Sequence, residues 1–124
     1  MNMRAIGFAG VAVALFAAPA LAHHSHAMFD SEQTVEIEAS VKVFEWTNPH
    51  SWLQVMAPNA QGEIVEYSLE MGSPAGLARD GWRPRTLSPD DKVTVRMHPL
   101  KNGAPGGSLI SVVLPSGEVM GDEY

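Results

Sequence analysis

The sequence predicts an all-β fold, a small five-stranded OB-fold-like barrel with one short helix between its third and fourth strands. Three observations predict it. Five runs have β-like patterns, turn-forming residues separate them, and a single helical segment follows the third run. This element order is that of a five-stranded Greek-key barrel. A β-sandwich or another small closed barrel would show similar alternation.

The first predicted strand, residues 34–44, has the clearest pattern. Apolar and polar residues alternate strictly, and a period of two buries one face of a strand. The residues predicted to face inward are Val35, Ile37, Ala39, Val41 and Val43. The other strands are predicted at 52–56, 63–70, 92–98 and 109–114.

The helix and the turns have their own signals. Ser73 is a typical N-cap, Pro74 a typical first helical residue, and Gly81 lies near the end. Residues 58–62 predict a hairpin turn after the second strand, and residues 102–107 predict a glycine-rich hairpin loop after the fourth. The two ends of the mature chain, 23–33 and 116–124, show no regular pattern.

Residues 1–22 have the three parts of a signal peptide. Arg4 supplies positive charge, residues 6–18 are apolar, and Ala20 and Ala22 occupy the small positions before a cleavage site. The apolar run is shorter than the roughly 20 residues of a membrane span. We therefore expect a periplasmic or secreted protein with no membrane span after cleavage. Its segments are the N-terminal strap (residues 23–33), the barrel domain (34–115) and the C-terminal tail (116–124).

The composition excludes several kinds of chemistry. The chain has no cysteine, which excludes thiolate metal sites and thiol nucleophiles. Loss of Arg4 with the signal leaves seven basic against fourteen acidic residues, a net charge of −7. An acidic surface repels nucleic acid and attracts cations. We expect a metal ion as ligand, with a protein or small molecule as a further possible partner and no nucleic acid.

The histidines beside the cleavage site are the main chemical signal. Cleavage after Ala22 makes His23 the first residue, followed by His24, Ser25 and His26. The α-amine and imidazole of His23 can then form one chelate ring, and a third imidazole would complete a copper histidine brace. Copper is expected ahead of zinc and nickel, since affinity peaks at Cu(II). Cleavage after Leu21 would instead place His24 third, as an amine-and-amide copper site requires.

Two residues of the predicted barrel are candidates to complete such a site. His50 follows Asn48-Pro49 in a turn, and it is either the third nitrogen ligand or a turn histidine bonded to backbone. Glu70 ends the third strand. It is either a carboxylate that binds the metal or orients an imidazole, or the partner of Arg79 or Arg83.

Two other classes of function were weighed against metal binding. A ligand- or partner-binding OB-like module would use Trp46, Trp52 and Trp82, with Phe44 and Tyr67, as a stacking surface; packing of these rings in the barrel is the alternative. A copper-brace oxidase ranks last, because so short a domain leaves little room for the flat surface that binds a polymer. We therefore expect no enzyme activity.

The mature chain resembles a family of short exported bacterial proteins classed as a domain of unknown function. The distinctive segment is Glu45-Trp46-Thr47-Asn48-Pro49-His50, and the other matching segments include Ala22-His23-His24-Ser25, Phe29-Asp30, Leu69-Glu70 and Leu77-Ala78-Arg79-Asp80-Gly81-Trp82. The chain departs from the pattern at His26, where an aromatic is expected, and at Asp90. The resemblance implies export but no established activity.

Overall fold

The computed structural model describes residues 26–122. It contains a one-turn 3-10 helix, six strands and one α-helix. Their bounds are His26–Met28 for the 3-10 helix, Val35–Glu45 (β1), Trp52–Pro58 (β2), Ile64–Glu70 (β3), Pro74–Arg79 (α1), Lys92–Pro99 (β4), Gly106–Val113 (β5) and Val119–Gly121 (β6).

Five of the strands close into a barrel. The sheet order is β3-β2-β1-β4-β5-β6, and β3 also pairs with β5, so β1, β2, β3, β5 and β4 form a ring. The closing pair is parallel, whereas the other pairs are antiparallel. This ring, with the helix between β3 and β4, confirms the predicted OB-fold-like barrel.

The predicted loop after β4 is shorter than expected, because Gly106 and Gly107 belong to β5 and are buried. Gly107 pairs with Leu69 of β3 on one side and with Pro99 of β4 on the other. A Cβ atom at Gly107 would overlap the carbonyl oxygen of His98. The glycines are therefore what lets β5 approach both neighbours and close the ring.

The core is the inner face of the barrel, sealed at one end by the segment that contains α1. Side chains that alternate along β2, β3 and β4 point inward, as the period of two predicts. The buried residues of this core include Val41, Leu53, Val55, Leu69, Leu77, Trp82, Leu87, Val95, Met97 and Val112. The chain has no cysteine, so the packing of these residues carries the stability that disulfides supply elsewhere.

The prediction for the inner face of β1 is wrong at Val43. Ala39 and Val41 are buried as expected, but the side chain of Val43 is 38% exposed. A β-bulge between Val41 and Val43 shifts the register against β2 and reverses the alternation. As a result Phe44, which the pattern placed outside, packs against the core.

This reversal predicts a difference between two identical substitutions. Val41→Ala removes a buried side chain and should lower the free energy of unfolding by about 2 kcal/mol. Val43→Ala lies on the outer face and should lower it by less than about 1 kcal/mol. Urea unfolding of both variants measures the difference. Equal losses would contradict the placement of the bulge.

The helix begins and ends as the sequence predicts. Pro74 is its first residue, and the side chain of Ser73 accepts a hydrogen bond from the backbone N–H of Gly76 at 3.2 Å. Gly81 follows the helix with a φ of +93°, a conformation that glycine adopts without strain. Trp82 then turns back onto the core.

The structure adds regular elements at both ends of the described chain. The sixth strand, which the sequence did not predict, pairs with β5 after a turn in which the N–H of Gly117 donates to Leu114. At the other end, Phe29 forms a β-bridge with Leu100 and is 7% exposed. No helix within residues 26–122 is long and apolar enough to cross a membrane.

Candidate metal centre

The candidate site lies where the loop between β1 and β2 meets the end of β3. Trp52 pairs with Glu70 at the end of the β2–β3 ladder. Two further backbone hydrogen bonds extend that ladder, from Ser51 N–H to the carbonyl of Gly72 and from Met71 N–H to the carbonyl of Ser51, both at 2.9 Å. This extension holds the preceding residue, His50, beside the end of β3.

The imidazole of His50 has a defined orientation. Its Nδ1 lies 3.0 Å from the carbonyl oxygen of Met71. A carbonyl can only accept, so Nδ1–H is the donor in this bond, and in the neutral form of the ring Nε2 carries the lone pair. The side chain is 41% exposed. Nε2 is therefore the nitrogen available to a ligand. The hydrogen bond to backbone, which the sequence offered as the alternative to metal binding, is compatible with metal binding, because it uses the other ring nitrogen.

Glu70 lies beside this imidazole. Its Oε1 is 3.6 Å from His50 Nδ1, and its side chain is only 11% exposed although it is on the outer face of β3. Within residues 26–122, the charged partner of Glu70 is His50, and neither Arg79 nor Arg83 forms an ion pair with it. Arg83 donates instead to the carbonyl oxygens of Ala78 and Trp82. Glu70 therefore lies close to the His50 ring, at a distance from Nδ1 that is slightly longer than a hydrogen bond.

The loop that carries His50 is held by local bonds. Thr47 Oγ1 donates to the carbonyl of His50 at 2.9 Å, and the Asn48–Pro49 peptide is cis. His50 is thus held at its backbone carbonyl by Thr47 and at its ring by the carbonyl of Met71.

The main-chain carbonyl of Met71 is the functional group that sequence reasoning missed. No residue type marks a backbone acceptor, and its place opposite His50 depends on the extended β2–β3 ladder. Ser51, whose side chain is fully buried, was missed as well. Its hydroxyl has no hydrogen-bond partner, so the contribution of Ser51 is made by its backbone.

The predicted ligands of the N-terminal strap are only partly described. His23 and His24 lie outside the described residues. His26 is exposed in the 3-10 helix, and the residues after it run along the end of β4, with Lys101 N–H donating to Met28 and Asp30 N–H donating to Pro99. Within residues 26–122, no three His, Asp or Glu side chains are grouped so that they could hold a metal.

The attachment of the strap limits where its first residues can reach. His98 Nδ1 lies 2.8 Å from the carbonyl of Gln33, and the Phe29–Leu100 bridge fixes the strap further along. Three extended residues span about 10 Å. A metal bound by the amine of His23 therefore has to lie within about that distance of His26, plus the length of the ligand itself.

The aromatic residues do not form one exposed platform. Trp82 is 2% exposed and belongs to the core. Phe44 contacts Trp46 edge-on, with ring centroids 5.8 Å apart, and Trp82 at 6.0 Å. Packing thus accounts for these three rings. Trp52 stands apart on the outer face, next to Glu70 in the ladder.

A family model described as a family of unknown function (DUF6152) matches residues 11–109. That range contains the predicted candidate residues of the strap as well as His50 and Glu70. No curated protein matches the chain. No solved structure matches it either.

Proposed function

The chain belongs to this family of unknown function, and from its own residues we propose that it is an exported metal-binding protein. Copper is the proposed metal, ahead of zinc and nickel. His23 supplies the amine and one imidazole, His24 and His26 are the other strap ligands, and His50 supplies the nitrogen of the barrel. Glu70 orients His50.

The observation that supports this proposal most strongly is the orientation of His50. Metal-bound histidines commonly donate the second ring N–H to a carbonyl or carboxylate, which fixes the tautomer. His50 has such an acceptor in the carbonyl of Met71 at 3.0 Å from Nδ1, and the carboxylate of Glu70 adds a negative charge 3.6 Å from the same nitrogen. Its other nitrogen is thereby prepared to bind a cation.

The charge of the protein and the kind of donors favour the same conclusion. With fourteen acidic and eight basic residues, the chain attracts cations. Imidazole and amine nitrogens without thiolate suit Cu(II), Zn(II) and Ni(II). The barrel contributes only His50 and Glu70, so the strap has to supply the remainder and affinity must depend on its free amine.

The experiment that tests the proposal compares two N-termini. Protein that begins at His23 and protein with three additional non-histidine residues before it are titrated with Cu(II) and followed by EPR. The additional residues separate the amine from the His23 imidazole and remove their chelate ring, and they leave no histidine in third position, where it would create an amine-and-amide copper site. We expect affinity at least tenfold lower and a changed EPR spectrum, because one nitrogen ligand is lost.

The thermal unfolding of the two metal-free proteins is the control, since the barrel is identical in both. Equal copper affinity and equal spectra would exclude the brace. Mass spectrometry of the exported protein determines its first residue. If that residue is Ala22, the amine-and-amide mode with His24 in third place replaces the brace.

A further inference from the structure

A second feature of the barrel lies away from His50 and Glu70. The strand β5 begins only at Gly106, and its ladder with β3 spans Ser68 to Glu70. The first half of β3 therefore has no strand on that side. A cavity of about 530 Å³ opens there into the barrel interior, between the loop at residues 59–61 and the loop at residues 103–105.

The walls of this cavity are inner-face side chains that the core leaves partly uncovered. Leu69 is fully buried, but Val65 and Tyr67, which point to the same side of β3, are only half-buried. Val35 of β1 and Met97 of β4 also line the cavity and are paired with each other; Val35 is half-buried, whereas Met97 is only 1% exposed. The cavity is thus an apolar pocket at the mouth of the barrel.

The chemistry of the lining selects the ligand. None of the described residues that line this cavity is acidic, basic or a histidine, although the chain carries fourteen acidic residues. By contrast, the more open groove on the barrel is lined by Glu38 and Lys92. A charged ligand in the cavity would lose hydration without gaining a counter-charge. A neutral ligand has no such penalty.

We propose that the barrel mouth binds a small, neutral, largely apolar molecule. Its apolar body would lie against the half-buried Val35, Val65 and Leu100, and the phenol of Tyr67 would offer it a hydrogen bond. The volume falls within the range of roughly 300–1,000 Å³ that is common for ligand pockets, which also occur at barrel mouths. None of the proposed metal ligands lines this cavity.

The test uses two fluorescent compounds that differ in charge. N-phenylnaphthylamine is neutral, and anilinonaphthalene sulfonate has similar rings with a sulfonate. Each is titrated into the mature protein in the presence of EDTA, which removes any contribution of metal. We expect saturable binding of the neutral compound, at least tenfold tighter than that of the anion. Equal or tighter binding of the anion would overturn the proposal.

Amide chemical shifts of the unmodified protein locate the bound neutral compound. The changes should concentrate at residues 59–61 and 103–106, whereas changes centred on His50 and Trp52 would overturn the proposal.

Val65→Phe fills the cavity and should weaken binding at least tenfold, while Val43→Phe, on the outer face of β1, should leave it unchanged. Val35→Phe fills the cavity from β1 and decides the matter if Val65→Phe does not fold. A folded cavity variant with unchanged affinity would also overturn the proposal.

Discussion

Replacing Gly107 with alanine is expected to lower the free energy of unfolding by about 3 kcal/mol or more. The added Cβ would overlap the carbonyl oxygen of His98 and lie 3.0 Å from the sulfur of Met97. The first obstacle is backbone, so a change of side-chain rotamer cannot relieve it. Either β4 or β5 has to move, and both belong to the ring. Urea unfolding followed by tryptophan fluorescence measures the loss.

Gly72→Ala is the matched control for that substitution. A Cβ atom at Gly72 would meet only the side chain of Leu77, at 3.8 Å, which is an ordinary contact. Its backbone has no positive φ, so alanine fits there and should leave stability unchanged or raise it by about 0.5 kcal/mol. If Gly107→Ala were as stable as Gly72→Ala, the close approach of β5 to β4 would be wrong.

Local pattern was sufficient to predict the architecture. The alternation of β1, the N-cap at Ser73 and the turn at residues 58–62 are each encoded by a few neighbouring residues. Their order then admits few topologies, and the barrel is one of them. Local agreement between pattern and structure is therefore why the fold class could be predicted from one sequence.

The parts that the pattern missed depend on neighbours in space. The bulge that exposes Val43 exists only in the pairing of β1 with β2. Gly107 lies in a glycine-rich stretch that predicts a loop. It is a strand residue because closure of the barrel requires a position without a side chain. The strand β6 is three residues long and gains its hydrogen bonds only by pairing with β5.

The candidate site could likewise be predicted only in part from the sequence. His50 could be identified from the sequence because the chain has only five histidines, and Glu70 because it ends a predicted strand. Their proximity could not, since residues twenty positions apart meet only through the register that pairs Trp52 with Glu70. The acceptor on Met71 is a backbone atom and has no sequence signal at all.

His50→Ala is expected to weaken Cu(II) binding at least a hundredfold and to change the EPR spectrum. Under the proposed function, the barrel adds one nitrogen ligand, from His50, to those of the strap. The hydrogen bond from Nδ1 to the carbonyl of Met71 already fixes the ring, so metal binding loses no further conformational entropy there. Gln54→Ala, on the outer face of β2, removes no imidazole and serves as the control.

Glu70→Gln separates the orienting role from the ligand role. The amide keeps the size of the side chain but loses the charge beside Nδ1, so Cu(II) affinity should fall about tenfold, within the 10–100-fold range for groups that orient a metal ligand. The EPR spectrum should stay that of the parent, because no ligand is lost.

Glu66→Gln removes the same charge from the same strand, where the carboxylate pairs with Lys42 at 2.7 Å and not with His50. If Glu66→Gln weakened copper binding as much, general charge rather than the His50–Glu70 contact would be the cause. A spectrum altered by Glu70→Gln would instead make Glu70 a direct ligand.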